Sequence, residues 1–332
     1  MPRSSAKSPL AKSCGLGLVS GGLDSILAAL VLRRAGVEVE GVSFTTPFFN
    51  AEAARRAAKA HDLPLTVLEV GEEHLATVVK KPRYGYGANM NPCVDCHAFM
   101  LKKAGRLMAE MGFDFLFTGE VLGQRPMSQN KQALVTVAKA SGLPDKVLRP
   151  LSAKLLPVTP MEEAGLVDRE LLLDLSGRGR KPQMALADQF GVRDYPSPAG
   201  GCLLTEPGFS RRLKDLLHYR PQAGLDEVKL LKYGRHLRLS PESKLVVGRN
   251  EAENKILGAM TPPGAISLAA RGLPGPLGLF FGPAGPDLEL AAEVVAGYGK
   301  APAGRTVPVE TAGGPTLNVL PLDRRRAHGM LL

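Results

Sequence analysis

Two sets of residues in this sequence have the types and spacing for chemistry. The first is Ser20-Gly21-Gly22-Leu23-Asp24-Ser25, which ends the short apolar run Leu16-Gly17-Leu18-Val19 and opens the Leu/Ala-rich stretch from Leu23 to Ala35, closed by Gly36. A buried strand that turns through two glycines straight into a helix gathers backbone N–H groups and the positive end of the helix dipole on one spot, and the hydroxyls of Ser20 and Ser25 add donors. Such a spot binds an anion. The spacing is not G-x-x-x-x-G-K-[ST] and lacks its lysine, which excludes the commonest nucleotide-triphosphatase reading.

The second set is made of thiols. The cysteines are Cys14, Cys93, Cys96 and Cys202. Asn91-Pro92-Cys93-Val94-Asp95-Cys96-His97 is a C-x-x-C at the start of an expected helix, Val94 to Met111, behind a Gly/Pro/Asn-rich loop from Pro82 to Pro92. A helix N-terminus lowers thiol pKa and makes thiolates good nucleophiles or metal ligands. Cys202 closes Pro196-Ser197-Pro198-Ala199-Gly200-Gly201, where prolines and paired glycines let the backbone bend and bring a thiol to another site. Cys14 matches no motif and reads as a small core residue.

The elements that must position these residues follow from periodicity. Val37 to Phe44 alternates as a strand, Ala51 to His61 has helical spacing, Leu65 to Val70 is a strand, Glu72 to Lys80 a helix, and Phe113 to Thr118 a strand after the long helix. Strands alternating with helices at this pitch predict an α/β fold with a doubly wound parallel sheet, whose ligands sit at the carboxyl ends of the strands, where Ser20, Ser43 and Gly119 fall. From Asp226 onward short strands (Leu237-Arg238-Leu239, Lys244 to Gly248, Ala265 to Ala269, Leu277 to Phe281) and helices (Glu251 to Met260, Asp287 to Tyr298) predict a smaller α+β domain. The expected organisation is a flexible tail over 1–13, a nucleotide-type domain over 14–205 and a carboxyl-terminal domain over 206–332.

The Ser-Gly-Gly-Leu-Asp-Ser stretch resembles the pyrophosphate loop, S-G-G-x-D-S, of the ATP pyrophosphatases that adenylate a carbonyl oxygen. That resemblance implies ATP and Mg²⁺ as cofactors, with Ser20, Gly21, Gly22 and Ser25 around the β,γ-phosphates and Asp24 beside the metal. In that family the second strand end and the Thr-Gly after a later strand border the adenine, which makes Phe44 and Gly119 the carry-over candidates. Thr118-Gly119-Glu120-Val121-Leu122-Gly123-Gln124-Arg125-Pro126-Met127-Ser128-Gln129-Asn130, then Leu148-Arg149-Pro150-Leu151, resembles the T-G-E-x-L-G-Q-x-x-S-Q and R-P-L segments of the tRNA 4-thiouridine synthetases. It brings Gln124 into the nucleotide site. The resemblance covers roughly residues 14–205, and we expect no counterpart before the loop of the amino-terminal RNA-binding module usual in that family. A C-x-x-C with a later Gly-flanked cysteine also occurs in the iron–sulfur-dependent tRNA thiolases.

Four readings of the thiols compete. A c-type haem attachment, formally C-x-x-C-H, belongs to exported chains, and Met1 to Lys12 contains no apolar segment of a signal peptide. A structural disulfide is disfavoured in a cytosolic chain, and a structural zinc would need a fourth ligand that His97, adjacent to Cys96, supplies awkwardly. A two-cysteine persulfide route needs Cys202 plus one of the pair. A [4Fe–4S] cluster held by Cys93, Cys96 and Cys202 leaves one iron open to hydrosulfide.

The chain has 332 residues, 44% apolar, long enough for two or three domains, and no run of 18 apolar residues; we expect a cytoplasmic protein without membrane contact. Its net charge of +10 suits an anionic partner, and the excess is shared between both halves. Phe209 to Leu217 reads as a basic amphipathic helix with Arg211, Arg212 and Lys214, and Arg178-Gly179-Arg180-Lys181 as a basic turn. Lys244 to Asn254 resembles the V-G-R-N-x-x-x-N segment of the RNA-binding domain of ribosome-quality-control factors, which implies RNA contact through Lys244 and Arg249. With no tryptophan, recognition of backbone and shape fits better than base stacking. The expected function is ATP-dependent tRNA uridine thiolation, 4-thiouridine or 2-thiouridine, with an external sulfur donor. Two rivals stay open: a ligase with an amine nucleophile and a structural zinc, and a non-catalytic RNA-binding factor on a nucleotide fold.

Overall fold

Strand β1 (Cys14–Leu18) is built from small residues for a visible reason. A Cβ on Gly17 would come 2.2 Å from the Phe117 ring, and one on Gly15 would come 3.0 Å from Phe115. Both rings are fully buried, so the glycines make room for two phenylalanines of the neighbouring strand against β1. The structure, a computed structural model, describes residues 12–125, 128–196, 201–302 and 304–332. The tail expected over 1–13 lies outside the described residues except for Lys12 and Ser13, as do Pro126 and Met127 and the Ser197-Pro198-Ala199-Gly200 approach to Cys202.

Chain contacts divide the molecule into two units, up to Thr205 and Glu206–Leu332. In the first unit, α1 (Leu23–Arg34) follows β1, then come β2 (Glu38–Thr45), α2 (Glu52–Ala60), β3 (Leu65–Glu69) and a short α3 (Gly71–His74). The helix expected over Glu72 to Lys80 instead widens into a π-helical turn, Leu75–Val79, after α3. The C-x-x-C opens α4 (Cys93–Met111), which ends on Gly112 in the left-handed conformation at φ 72° and leads into β4 (Phe115–Thr118). Then follow α5 (Lys131–Ser141), a two-residue β5 (Val147–Leu148), α6 (Pro160–Glu163) and α7 (Lys181–Phe190). Among the described residues these strands form one parallel sheet in the order β3-β2-β1-β4-β5. The order reverses beside β1, and the Ser20–Ser25 loop leaves β1 at that switch point.

Each face of this sheet carries its own core. Leu23, Ile26 and Leu27 of α1 pack with Ala54 of α2, Phe115 and Phe117 of β4, and Leu186 of α7 on one side. Leu16, Val42, Phe44 and Leu116 pack with Leu101 and Met108 of α4 and Val137 of α5 on the other. Burying a side chain of this size contributes about 1.5–3 kcal/mol, so the strand edge that carries the loop is held from both faces.

The second unit contains α8 (Pro207–Tyr219), α9 (Leu225–Leu230), β6 (Arg235–Arg238), β7 (Lys244–Val247), α10 (Glu251–Ala259), β8 (Ile266–Ala270), β9 (Gly278–Phe281), α11 (Pro286–Tyr298), β10 (Val307–Thr311), β11 (Leu317–Val319) and α12 (Arg324–His328). Its strands pair antiparallel in the order β11-β10-β8-β9-β7-β6. Helix α11 covers one face through Ala291, Val294 and Val295. Leu230, Val246, Leu257 and Leu279 form a smaller cluster. Among the described residues no helix is long and apolar enough to cross a membrane.

Candidate active site

The loop between β1 and α1 has the form that its sequence requires. Gly21 adopts φ +79° and lies so close to α2 that a Cβ would meet the Ala53 carbonyl carbon at 2.2 Å. Ser25 donates from Oγ to the Gly22 carbonyl at 2.8 Å, Gly22 N–H donates to Ser20 Oγ at 3.3 Å, and the two hydroxyls stand 3.5 Å apart. Gly119 presses on this loop from β4: a Cβ there would lie 2.5 Å from the Asp24 carbonyl carbon and the Ser25 nitrogen. Ser20, Gly21, Gly22, Asp24, Ser25 and Gly119 are thus one neighbourhood. Phe44, at the end of β2, is buried in the core among Leu16, Leu101 and Leu116.

Gln124 joins the loop through its amide, which donates to Asp24 Oδ2 at 2.8 Å. Gln183 of α7 in turn donates to Gln124 Oε1 at 3.0 Å. Burial pushes the Asp24 carboxyl above its ordinary range, while the Gln124 hydrogen bond and the charges of Arg180 and Arg125 pull it back down. Asp24 Oδ1 is buried without a hydrogen-bond partner. A buried carboxylate oxygen with nothing on it, at a Gly-rich helix start, is a fitting ligand for a divalent cation, and the loop around it suits the phosphates such a cation accompanies.

The carboxyl end of β4 leads to the thiols. Glu120 is buried, accepts from Arg149 Nε at 3.0 Å and from the Thr118 hydroxyl at 3.0 Å, and lies 3.2 Å from His97 Nδ1. Burial alone would raise its carboxyl, but the Arg149 charge, then the His97 and Thr118 contacts, overcome that and bring it down to about 2. His97 follows Cys96 in the first turns of α4. One continuous path therefore runs from Asp24 through Gly119 and Glu120 to His97 and the C-x-x-C.

Cys93 Sγ accepts from Asn91 Nδ2 at 3.3 Å, and Asp95 accepts the Arg83 and Tyr84 N–H groups at 2.9 and 3.0 Å, which fastens the Pro82 to Pro92 loop onto α4. Asn89 of that loop donates to the Thr205 carbonyl at 2.9 Å, and Leu203 N–H donates to the Phe48 carbonyl at 2.9 Å. These bonds fasten the 202–205 segment within the first unit, and Cys202 and Cys93 both act electrostatically on Cys96. The expectation of a lowered thiol pKa at this helix start is corrected at Cys96. Burial, then the Cys202, Cys93 and Asp95 charges, push that thiol well up.

A residue the sequence reading passed over completes the set. His74 Nε2 is 3.2 Å from Cys96 Sγ, inside a box of Phe48, Phe49 and Phe99 rings with centroids 5.7–5.8 Å away. Burial lowers its pKa to about 4, so the ring is neutral at pH 7. A lone histidine in a helical stretch gives no signal of this contact. Among the described residues no group of three or more His, Cys, Asp or Glu side chains is arranged to hold a metal ion. The donor set suits iron–sulfur or zinc chemistry in kind, although this arrangement is not a coordination sphere.

In the second unit Lys244 is buried and lies 3.2 Å from Asp215, which Arg238 also grips at 2.9 and 2.6 Å. Desolvation brings the Lys244 ammonium down to about 8 against the pull of Asp215. Arg211 and Arg249 are exposed, and Arg212 is half-buried with Nε on the Gly208 carbonyl. Arg249 pairs with Glu253. Much of the Gly248-to-Asn254 motif is architecture: Asn250 caps α10 by accepting the Glu253 N–H at 2.9 Å, and Asn254 accepts the Leu277 N–H at 3.0 Å. The Asn254 side chain occupies the space a Gly248 Cβ would need.

A parallel sheet with this loop at its switch point, joined to a separate antiparallel α+β unit, defines the class: a pyrophosphate-loop type nucleotide fold with an appended domain. Residues 11–154 match the family model described as thiamine biosynthesis protein (ThiI), and residues 234–324 match that of the NFACT protein RNA binding domain. The first of these matches lies within the parallel-sheet unit and the second within the antiparallel one. The tRNA-specific 2-thiouridylase MnmA 2 of Clostridium botulinum is 34% identical over 113 residues, covering 30% of this chain and 32% of that protein. A probable tRNA sulfurtransferase of Lactobacillus helveticus is 31% identical over 145 residues, covering 41% and 33%. The solved structure of a 4-thiouridine synthetase–RNA complex with bound ATP aligns at a TM-score of 0.39 and 18% identity over 66% of this chain and 52% of that one. The chain spans about a third of the length of these curated relatives.

Proposed function

We propose that this chain is an ATP-dependent tRNA sulfurtransferase that thiolates a uridine. The observation that carries the reading is the path just described, which joins an anion-binding loop with an unpartnered carboxylate oxygen to three cysteines at one end of one sheet. In this reading the Ser20–Ser25 loop binds the β,γ-phosphates of ATP, and Asp24 Oδ1 takes Mg²⁺. The uracil carbonyl oxygen attacks the α-phosphorus; the O–P bond forms, the bond to the β-phosphate oxygen breaks, and pyrophosphate leaves with the electron pair. Hydrosulfide from an external donor then attacks the activated carbon, and AMP departs with the oxygen. No net oxidation occurs. The base must leave its stack to reach the loop, and the second unit contributes RNA contacts through Arg211, Arg212 and Arg249. These relatives and this chemistry fit a cytoplasmic enzyme.

A [4Fe–4S] cluster on Cys93, Cys96 and Cys202 would supply a place for sulfide when bound. The residues' own part is to converge three thiols whose mutual repulsion at Cys96 a cation would relieve. A second reading uses the same convergence of thiols, since Cys202 and Cys93 both act on Cys96. There the outer sulfur of a persulfide, loaded on one cysteine by a persulfide-bearing donor, attacks the activated carbon and AMP leaves; a second cysteine thiolate then attacks the inner sulfur, breaking the S–S bond to free the thiouridine and closing a disulfide that a thiol reductant must reopen.

The test is release of AMP and pyrophosphate, one of each per turnover, by anaerobically prepared protein given ATP, Mg²⁺, sulfide and unmodified tRNA. Release that requires tRNA supports the proposal. Product from an added amine in place of sulfide would support the ligase alternative, and no release at all would support the non-catalytic one.

A further inference from the structure

The fold brings the basic turn Arg178-Gly179-Arg180-Lys181 toward Asp24. Gly177 N–H donates to the Leu122 carbonyl at 2.7 Å, and Leu122 and Ser176 pair as an isolated β-bridge. Arg180 is the residue before α7, three positions ahead of Gln183, whose amide is tied through Gln124 to Asp24. Asp24 Oδ1, Gln183 Oε1 and Arg180 Nε are all buried without a hydrogen-bond partner. Leaving a buried acceptor or donor unpaired is costly, and more so for a charged group. Two bare acceptors joined through Gln124, and a bare cationic donor whose charge acts on the same carboxylate, are the complement of a metal–phosphate pair: the cation satisfies the oxygens and the anion satisfies the guanidinium.

We infer that Arg180 is the cationic clamp on the β,γ-phosphates of ATP, in the place that a phosphate-loop lysine fills elsewhere. The assignment rests on the adenylation reading. Arg180 and Arg125 both act electrostatically on Asp24, which sets their charges near the carboxylate that would hold Mg²⁺. A guanidinium offers planar, paired donors to phosphate oxygens. As the bond between the α-phosphorus and the bridging oxygen breaks, charge accumulates on the departing pyrophosphate, and the clamp stabilises it there. The start of α7 adds its own positive end, with Pro182 in the first turn, where a missing N–H costs nothing.

The test compares equilibrium binding of ATP and of AMP to the full chain with Mg²⁺, in wild type, Arg180→Ala and Arg180→Lys. AMP lacks the β,γ-phosphates, so its retained affinity also reports that the variant is folded. We expect Arg180→Ala to lose ATP affinity by tenfold or more with AMP affinity unchanged, inorganic pyrophosphate to compete correspondingly less well, and Arg180→Lys to recover part of the loss. An unchanged ATP-to-AMP ratio in Arg180→Ala overturns the clamp while leaving the adenylation reading in place. A fall in tRNA affinity with ATP affinity intact would assign Arg180 to the RNA and also overturn it. A wild type that binds neither nucleotide contradicts the adenylation reading, and the clamp with it.

Discussion

Arg149 Nε donates to Glu120 Oε2 at 3.0 Å, and both side chains are buried. This contact makes one structure out of two sequence segments, the Thr118-Gly119-Glu120 after β4 and the Arg149-Pro150-Leu151 after β5. Glu120 thereby stays ionised and holds His97 beside the cysteines.

The pH dependence of that ion pair has a defined sign. The folded-state pKa of Glu120, about 2, lies below its ordinary 4.5, so its contribution to stability is fully present above pH 4.5 and is lost as pH falls from 4.5 toward 2. Glu120→Gln, which leaves Arg149 buried without a countercharge, should destabilise the chain by on the order of 3 kcal/mol at pH 7. Thermal melts at a series of pH values check this: the gap between variant and wild type should narrow below pH 4.5, and a gap that stays constant would contradict it.

Gly119 offers a steric test of the loop. Its absent Cβ leaves room for the Asp24–Ser25 backbone at 2.5 Å, and backbone does not yield as a flexible side chain does. Gly119→Ala should shift the loop, cost about 1–3 kcal/mol of stability and lower ATP affinity severalfold or more. Calorimetric ATP binding that is unchanged in this variant would count against the loop as the nucleotide site.

How much of this was legible in the sequence depended on range. The Ser20–Ser25 loop is a local signal, because glycine spacing and the apolar runs around it are fixed by one turn, and the alternation from β1 to β4 followed from periodicity. The π-turn at Leu75–Val79 was not legible, since its apolar spacing passes for a helix. The strands β10 and β11 lie in a Pro/Gly-rich stretch; β10 owes its place to pairing with β8, and β11 to pairing with β10, rather than to their own pattern. His74 and Arg180 found their partners Cys96 and Asp24 only through folding. Lys244 shows the reverse: its motif pointed to RNA, whereas the fold buries the side chain against Asp215.

RNA contact by the second unit is measurable through salt. Replacing Arg211, Arg212 and Arg249 with Ala should weaken tRNA binding and flatten the dependence of log affinity on log salt by about 0.7–0.9 for each lost phosphate contact. Affinity and slope that both survive would remove these residues from the RNA platform.

The thiol chemistry separates in a cysteine series. Single Ala substitutions at Cys93, Cys96 and Cys202, reconstituted with iron and sulfide, should all lose the visible iron–sulfur absorption and thiolated product if three thiolates hold a cluster, while Cys14→Ala keeps both. Full activity in iron-free protein, or in Cys96→Ala, would rule out the cluster and favour the persulfide route.

The most direct measurement of the central claim is nucleoside mass spectrometry of unmodified tRNA incubated with the protein, ATP, Mg²⁺ and sulfide, run in parallel with Asp24→Asn. That substitution removes the charge whose Oδ1 stands bare in the loop and preserves the side chain's shape. The account predicts a thiouridine that forms only with ATP, accompanied by equimolar AMP, and at least a hundredfold slower formation in Asp24→Asn with tRNA affinity retained. Thiouridine formed without ATP, or at the wild-type rate by Asp24→Asn, would contradict it.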